Sequence, residues 1–307
     1  MLQYLNILLD DSSIPFCHYS PRKDKNLISL TTLEKGIRFA MMENLMIQFI
    51  YPSYPISQKH YHLIDSIDHF NFKNTCKDAD VQVIEGWGIY DISQTVPIIL
   101  RTTKLELFMN YKTIGSLTSQ VKRLNIIITD IETFSPNDFN TYKMVLSEIS
   151  KELLSLFLDG KNPQLNILTD RLSLSVMNNC GAGVTNITMA PNGVLYVCPA
   201  FYYDCPSDDI GDIERGIDMK NKHLYTINYA PICRHCDAWQ CRRCIYLNQK
   251  TTCELNTPSH EQCVLAHIER NASRKLLSSL QKNGLFLDYN IKEINYLDPF
   301  EVREEWL

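Results

Sequence analysis

The chain has 307 residues, 45% of them apolar and 21% charged, with a net charge of −5. That length suffices for one large or two moderate domains with a sizeable core. The acidic balance argues against a surface that coats nucleic acid, no apolar run approaches the ~18 residues of a membrane span, and the opening "MLQYLNILLDDSS" lacks a basic stretch before a long apolar one, so a soluble, cytoplasmic protein without a secretory signal is expected.

In chain order, "YLNILLDD" reads as a strand and "TTLEKGIRFAMMENL" as a helix. Leu33, Ile37, Ala40 and Met41 fall at helical spacing there, with Thr31 and Glu34 as a capping box. "MIQFIYP", "VQVIEGW" and "VPIILRTT" follow as strands, then "LELFMNYKTIGSLTSQV" as a helix and "RLNIIITDIE" as a strand. "DFNTYKMVLSEISKELLSLFLDG" is a helix, with Phe139, Tyr142, Leu146, Ile149, Leu153 and Leu156 as its buried stripe and Gly160 at its end. "QLNILTD" reads as a further strand. This alternation predicts βα units on a mostly parallel sheet or partial barrel over residues 1–175. Asp10 or Asp11, Glu85, Asp130 and Asp170 end these strands. They either start turns and cap helices or form a ligand-facing rim. His60 and His62 read as surface residues.

From residue 176 the composition shifts to Gly, Pro, Asn and Asp. "VTNITM", the turn "APNG" and "VLYVCP" predict a β-hairpin, with Gly193 in the turn. "SHEQCVLAHIERNASRKLLSSLQKN" predicts a helix burying Val264, Ile268 and Leu276. The last stretch, ending "DPFEVREEWL", is expected as a polar tail with scattered aromatics, packed on the body or partly mobile.

The chain holds 11 cysteines, and those after Cys17 and Cys76 all lie between Cys180 and Cys263. A reducing compartment disfavours disulfides. Close pairs there hold metal instead, because thiolates are soft ligands for zinc and iron. Cys180 precedes the hairpin, Cys198 follows it, and "CRHCDAWQCRRC" supplies Cys233, Cys236, Cys241 and Cys244, with Cys263 at a helix start. These exceed the ligands of one zinc site and suit two four-thiolate sites. Cys17 reads either as a buried small residue or as a reactive thiol. Arg234, Arg242 and Arg243 either offset the charge of a metal group or are solvated loop residues.

This cysteine pattern resembles the SPASM domain of radical SAM enzymes that mature peptides. "CGAGVTNITMAPNGVLYVC" matches the start of its pattern, including Gly193, while "CRHCDAWQCRRC" is one residue short in each of the last two gaps. The resemblance implies two [4Fe–4S] clusters. By position, one would use Cys180, Cys198 and Cys244, with Cys205 as fourth ligand or an open iron. The other would use Cys233, Cys236, Cys241 and Cys263, with Cys253 as a spare. Residues 176–307 would then form a SPASM-like domain behind the barrel half. A radical SAM enzyme carries Cys-x3-Cys-x2-Cys after its first strand, whereas "DDSSIPFCHYS" has Cys17 alone. No "GGE"-like motif follows the second strand, where "FIYPSYP" stands.

The layout is similar to the CXXX-repeat peptide maturase family, on "LLDDSSIPFCHY", "GIRFAMMENLMIQFIYP" and "NGVLYVCPAFYY". That similarity implies an iron–sulfur protein of ribosomal peptide maturation. It would bind a precursor with repeated cysteines, a partner radical SAM enzyme, or both, and would not cleave S-adenosylmethionine alone. The alternative is a zinc-stabilised peptide- or protein-binding module without a redox role. A nucleic-acid zinc ribbon is a poorer reading, since "CRHC" and "CRRC" are basic only locally in an acidic chain.

Overall fold

The computed structural model describes residues 2–19, 24–88, 90–177 and 179–290; the expected C-terminal tail from 291 onward lies outside them. In chain order the elements are β1 (Tyr4–Leu8), α1 (Leu30–Met42), β2 (Met46–Ile50), α2 (Gln58–Ile64), β3 (His69–Lys73), β4 (Val81–Glu85) and β5 (Ile98–Thr102). Then come α3 (Lys104–Asn110), α4 (Ile114–Gln120), β6 (Leu124–Ile128), α5 (Pro136–Leu158) and α6 (Asp170–Ser173). The remainder is β7 (Asn186–Met189), β8 (Leu195–Tyr196), α7 (Pro199–Asp204), β9 (Gly211–Asp212), β10 (Gly216–Ile217), α8 (Ile245–Thr252) and α9 (His260–Lys282). The chain divides into two interleaved compact units. The first comprises Met1–Ile84, Tyr90–Val96 and Gly181–Thr226; the second comprises Glu85–Ile89, Pro97–Cys180 and Ile227–Leu307.

In the first unit the strands lie in the order β4-β3-β2-β1-β7-β8. Strand β1 is central, paired in parallel with β2 from Tyr4↔Met46 to Leu8↔Ile50 and with β7 from Tyr4↔Asn186 to Ile7↔Met189. Its Leu5, Ile7 and Leu8 are fully buried, as an apolar run flanked on both edges predicts. Strands β7 and β8 form the expected hairpin, and Gly193 takes the turn at φ +84°, a conformation that favours glycine. Helix α1 starts earlier than the sequence suggested. Ser29 is its N-cap and accepts from the Thr32 amide at 3.0 Å, so the Thr31–Glu34 box does not form. Leu33, Ile37 and Ala40 are buried as expected, but Met41 faces outward.

Helix α2 and strand β3 escaped the sequence reading, and His60 with them. Its ring is buried, with Nδ1 at 2.7 Å from Ser57 Oγ and Nε2 at 2.8 Å from the Ile28 carbonyl. Lone His residues become surface predictions only when such long-range partners are unknown; His62 is exposed as read.

In the second unit β5 and β6 pair in parallel from Ile98↔Leu124 to Thr102↔Ile128. The single helix expected from "LELFMNYKTIGSLTSQV" is two, α3 and α4, joined by a 3-10 turn at Tyr111–Thr113. Helix α3 opens on a Thr103–Glu106 capping box and α5 on a Ser135–Asp138 box. The α5 stripe is buried as predicted except at Leu156, whose place Phe157 takes. Helix α9 packs along α5 and buries Val264, Ile268 and Leu276.

The strand expected at "QLNILTD" is replaced by one bridge, Leu124↔Leu165, and a turn leading into α6. Side chains take over the ladder there. Asn166 accepts from the Ile126 amide at 2.8 Å and donates to its carbonyl at 2.9 Å. Thr169 Oγ1 accepts from the Leu165 amide at 2.8 Å. Strand edge and turn are both satisfied without a continued strand. Among the described residues no helix is long and apolar enough to cross a membrane.

Candidate metal centre

None of the 11 cysteines is in a disulfide, so no cystine competes for them. The cysteine loop of the second unit begins as a 3-10 turn, Cys233–His235, with the Cys236 amide donating to the Cys233 carbonyl at 3.1 Å. A second turn follows, in which the Cys241 amide donates to the Ala238 carbonyl at 2.9 Å. Each turn aims a backbone N–H at sulfur. The Ala238 amide donates to Cys236 Sγ and the Arg243 amide to Cys241 Sγ, both at 3.4 Å. Such N–H···S bonds favour the charged thiolate over the thiol. The second requires Arg243 at φ +44°, a left-handed conformation uncommon for a side-chain-bearing residue.

Helix α9 supplies the opposite wall. Ser259 caps it, accepting from the Gln262 amide at 3.2 Å, and Cys263 sits in its first turn, where the helix dipole favours negative charge. Cys233, Cys236, Cys241 and Cys263 together line one cavity of about 20 Å³, with Arg243 and His267. His267 lies one turn beyond Cys263 and its Nε2 is 3.7 Å from Cys236 Sγ. The sequence reading missed His267; the i,i+4 pair Cys263–His267 on one helix face was the available signal. Burial, then the neighbouring Cys233, pushes the Cys241 thiol well above its ordinary value. A soft cation reverses that preference by taking the thiolate as ligand.

The loop is held by a buried ionic hub, also absent from the sequence reading. Asp237 receives Arg171 at 2.9 Å, Arg270 at 3.0 Å and Arg274 at 2.8 Å, and Arg171 Nε also donates to the Asp237 carbonyl at 2.8 Å. Burial alone would raise the Asp237 carboxyl, but Arg270, Arg171 and Arg274 outweigh it and hold it below its ordinary value. Gln240 ties the loop to the Ala266 carbonyl of α9 at 2.7 Å. Nearby, burial pushes Glu269 up to about 7, although Tyr142 donates to it at 2.8 Å.

Arg243 is buried beside Cys233, Cys180 and Cys241, whereas Arg234 and Arg242 are exposed. The three arginines read together from sequence therefore divide: one faces the thiols and two are solvated. Arg171, Arg270 and Arg274 converge on Asp237, whereas Arg243 lines the thiol cavity itself.

Among the described residues, no three His, Cys, Asp or Glu side chains converge closely enough to hold a single metal ion. Tetrahedral zinc needs four ligands around one centre, each sulfur about 2.3 Å away.

The other predicted ligands are distributed between the units. Cys198 and Cys205 cap the two ends of α7 in the first unit. Cys180 and Cys244 belong to the second, where the Cys180 amide donates to the Arg242 carbonyl at 3.0 Å and the Cys244 amide to Gln262 Oε1 at 2.7 Å. Cys253 is exposed, ends α8 at φ +60° and does not line the cavity.

The segment after β1, where a radical SAM enzyme would carry its cluster motif, closes on oxygen ligands instead. Asp10 accepts from the Ser12 amide at 2.8 Å and from Tyr54 OH at 2.6 Å. Asp11 accepts from Tyr202 OH and from Asn26 at 3.2 Å, and Ser13 Oγ donates to the Ile50 carbonyl at 2.7 Å. Burial and this bond raise the Tyr54 phenol. The remaining strand-end carboxylates are also engaged. Glu85 pairs with Arg101 at 2.8 Å, Asp170 accepts two bonds from Arg123 at 2.6 and 2.7 Å, and Asp130 accepts from the Lys104 amide at 2.8 Å at the start of α3. Asp10 thus serves the turn after β1 and Asp130 the start of α3, while Glu85 and Asp170 stand in ion pairs.

No family model matches the sequence, and no curated protein matches it significantly. Solved structures do match over most of the chain. Native anSMEcpe with bound AdoMet, of the anaerobic sulfatase-maturating radical SAM/SPASM enzymes, aligns at TM-score 0.63 and 12% identity, covering 91% of this chain and 99% of that one. The same protein with AdoMet and the Cp18Cys peptide gives the same values. Streptococcus suis SuiB bound to precursor peptide SuiA aligns at 0.54 and 12% identity, covering 84% and 75%. This chain has the radical SAM/SPASM fold. The α/β class, the partial barrel of mostly parallel strands and the cysteine-rich region behind it are thus as the sequence predicted.

Proposed function

We propose that this chain is an iron–sulfur protein of ribosomal peptide maturation, of the CXXX-repeat maturase kind. Its cluster would sit on Cys233, Cys236, Cys241 and Cys263. The carrying observation is that these four thiols line one cavity whose walls also bring backbone N–H donors and Arg243 to the sulfurs. A [4Fe–4S] cluster bound there would have each iron held by a protein thiolate and would supply electron transfer. The protein's own part is to keep the thiolates oriented through the two turns, to anchor the loop through Asp237 and Gln240, and to exclude water.

Residues 176–307 would act as the SPASM-like domain and 1–175 as the barrel. Support for a peptide substrate comes from neighbours of the same fold seen with peptides: anSMEcpe with Cp18Cys and SuiB with SuiA. A precursor with repeated cysteines and a partner radical SAM enzyme are the partners in this reading. The chain would not cleave S-adenosylmethionine itself, since Cys17 is the single thiol of the segment after β1.

Anaerobic reconstitution with iron and sulfide tests the reading. About four irons and four acid-labile sulfides per chain, with broad visible absorbance, are expected. Cys236→Ser and Cys263→Ser should each remove or destabilise one cluster's worth. One zinc per chain without colour would establish the zinc-stabilised module instead.

A further inference from the structure

A second surface stands apart from the cysteine centre, within the first unit. Where β1, β2 and β3 begin and α1 ends, the surface opens into a shallow depression of about 1030 Å³. Met41, Met46 and Phe70 line it, 67%, 41% and 41% exposed, and Met42 beside them is 78% exposed. Three large apolar side chains exposed in one depression, with Met42 next to them in the chain, mark an interaction surface rather than scattered exposure. Methionine suits that role because its unbranched thioether adapts to irregular partners. The depression lies at the N-terminal ends of the parallel strands. Ligands of parallel α/β sheets bind at the opposite, C-terminal ends, so this surface does not serve the substrate of the barrel mouth.

The charge of its lining is negative. Asp65 and Asp68 line it, exposed, and Glu43 follows α1 at its edge. No Lys or Arg is among the described lining residues. A second copy docking face to face about a two-fold axis would set these carboxylates against their own images. A partner with lysine or arginine around an apolar anchor would meet them with opposite charge.

We infer that this depression is a docking site for a partner protein segment carrying an aliphatic or aromatic anchor flanked by lysine or arginine. The anchor lies among Met41, Met42, Met46 and Phe70, and the basic residues reach Asp65 and Asp68. The inference does not depend on what the cysteines bind.

The test uses the full-length protein and two fluorescent amphipathic helical peptides that share a Leu/Phe stripe. One has a Lys face and the other a Glu face. Anisotropy should show binding of the Lys-faced peptide at least tenfold tighter than the Glu-faced one. The Asp65→Lys/Asp68→Lys variant should reverse that order, and Met42→Glu should weaken Lys-faced binding at least threefold. Far-UV circular dichroism checks each variant, and Asp65→Asn/Asp68→Asn replaces the reversal should it misfold; it should abolish the preference. Equal binding of both peptides, binding of neither, or a preference unchanged by the substitutions overturns the inference. So does a wild-type dimer in sedimentation that Met42→Glu dissolves, since the surface would then belong to self-association. Iron content, identical in all these variants, separates this result from the fate of the proposed cluster.

Discussion

Two buried polar regions of this chain solve opposite problems. After β1, Asp10, Asp11 and Ser13 are answered by Tyr54, Tyr202, Asn26 and backbone groups. In the second unit, Cys233, Cys236, Cys241 and Cys263 line a shared cavity together with apolar side chains, Arg243 and His267, and backbone N–H groups donate to two of the sulfurs. The first region is completed by the chain's own side chains, and hard oxygen acceptors have found proton donors. The second gathers soft sulfur donors beside a buried guanidinium, and the proposed cluster rests on that setting. The contrast teaches that the chemistry of the grouped side chains, and not burial alone, separates a closed hydrogen-bonded network from a candidate ligand site.

Three measurements would break or sharpen that contrast. The largest effect is expected at the hub. Asp237→Ala leaves Arg171 and Arg270 buried around a missing charge, and breaking such a buried pair costs about 3–5 kcal/mol. Urea unfolding of the protein should show it, and a loss below about 1 kcal/mol would mean that the hub does not hold the loop.

A smaller effect attends Glu269. Its folded-state value of about 7 lies above its ordinary 4.5. The native state therefore binds the proton more tightly than the unfolded state. Its unfavourable contribution is absent below about pH 4.5, grows as pH rises to 7, and is constant above. Glu269→Gln should flatten that slope and raise stability at pH 8, by about 3 kcal/mol at most. An unchanged slope between pH 4.5 and 7 would exclude this titration. The smallest effect belongs to the oxygen-lined segment. Asp11→Asn should cost about 1 kcal/mol, and neither it nor Cys17→Ser should change the iron content of reconstituted protein. Iron lost from Cys17→Ser would place a ligand in the barrel and erase the contrast.

Much of the fold was legible because its signals are local. Apolar runs gave β1, β2, β5 and β6, and the stripe from Phe139 to Leu153 gave α5. Departures came where distant groups intervened. "QLNILTD" has a strand's composition, but Asn166 and Thr169 satisfy the neighbouring backbone and end the strand at one bridge. His60 looked like a surface residue until Ile28, 32 positions away, supplied its partner. At the candidate site the thiols were visible as a spacing. Asp237 was not, because its three arginines lie 33 to 66 positions from it in the chain.

By itself the sequence determined where β1, β2, β5, β6 and the long helices α5 and α9 lie, that the cysteines concentrate in the C-terminal part of the chain, and that the segment after β1 holds one thiol. Those are properties of residue type and short spacing, and neighbours along the chain set them. Only the tertiary structure decided which thiols share a cavity, that Arg243 and not Arg234 or Arg242 stands beside them, and that the strand-end carboxylates are engaged. Each of those depends on pairing between residues remote in sequence, where burial and charge act through space and leave no periodic trace along the chain.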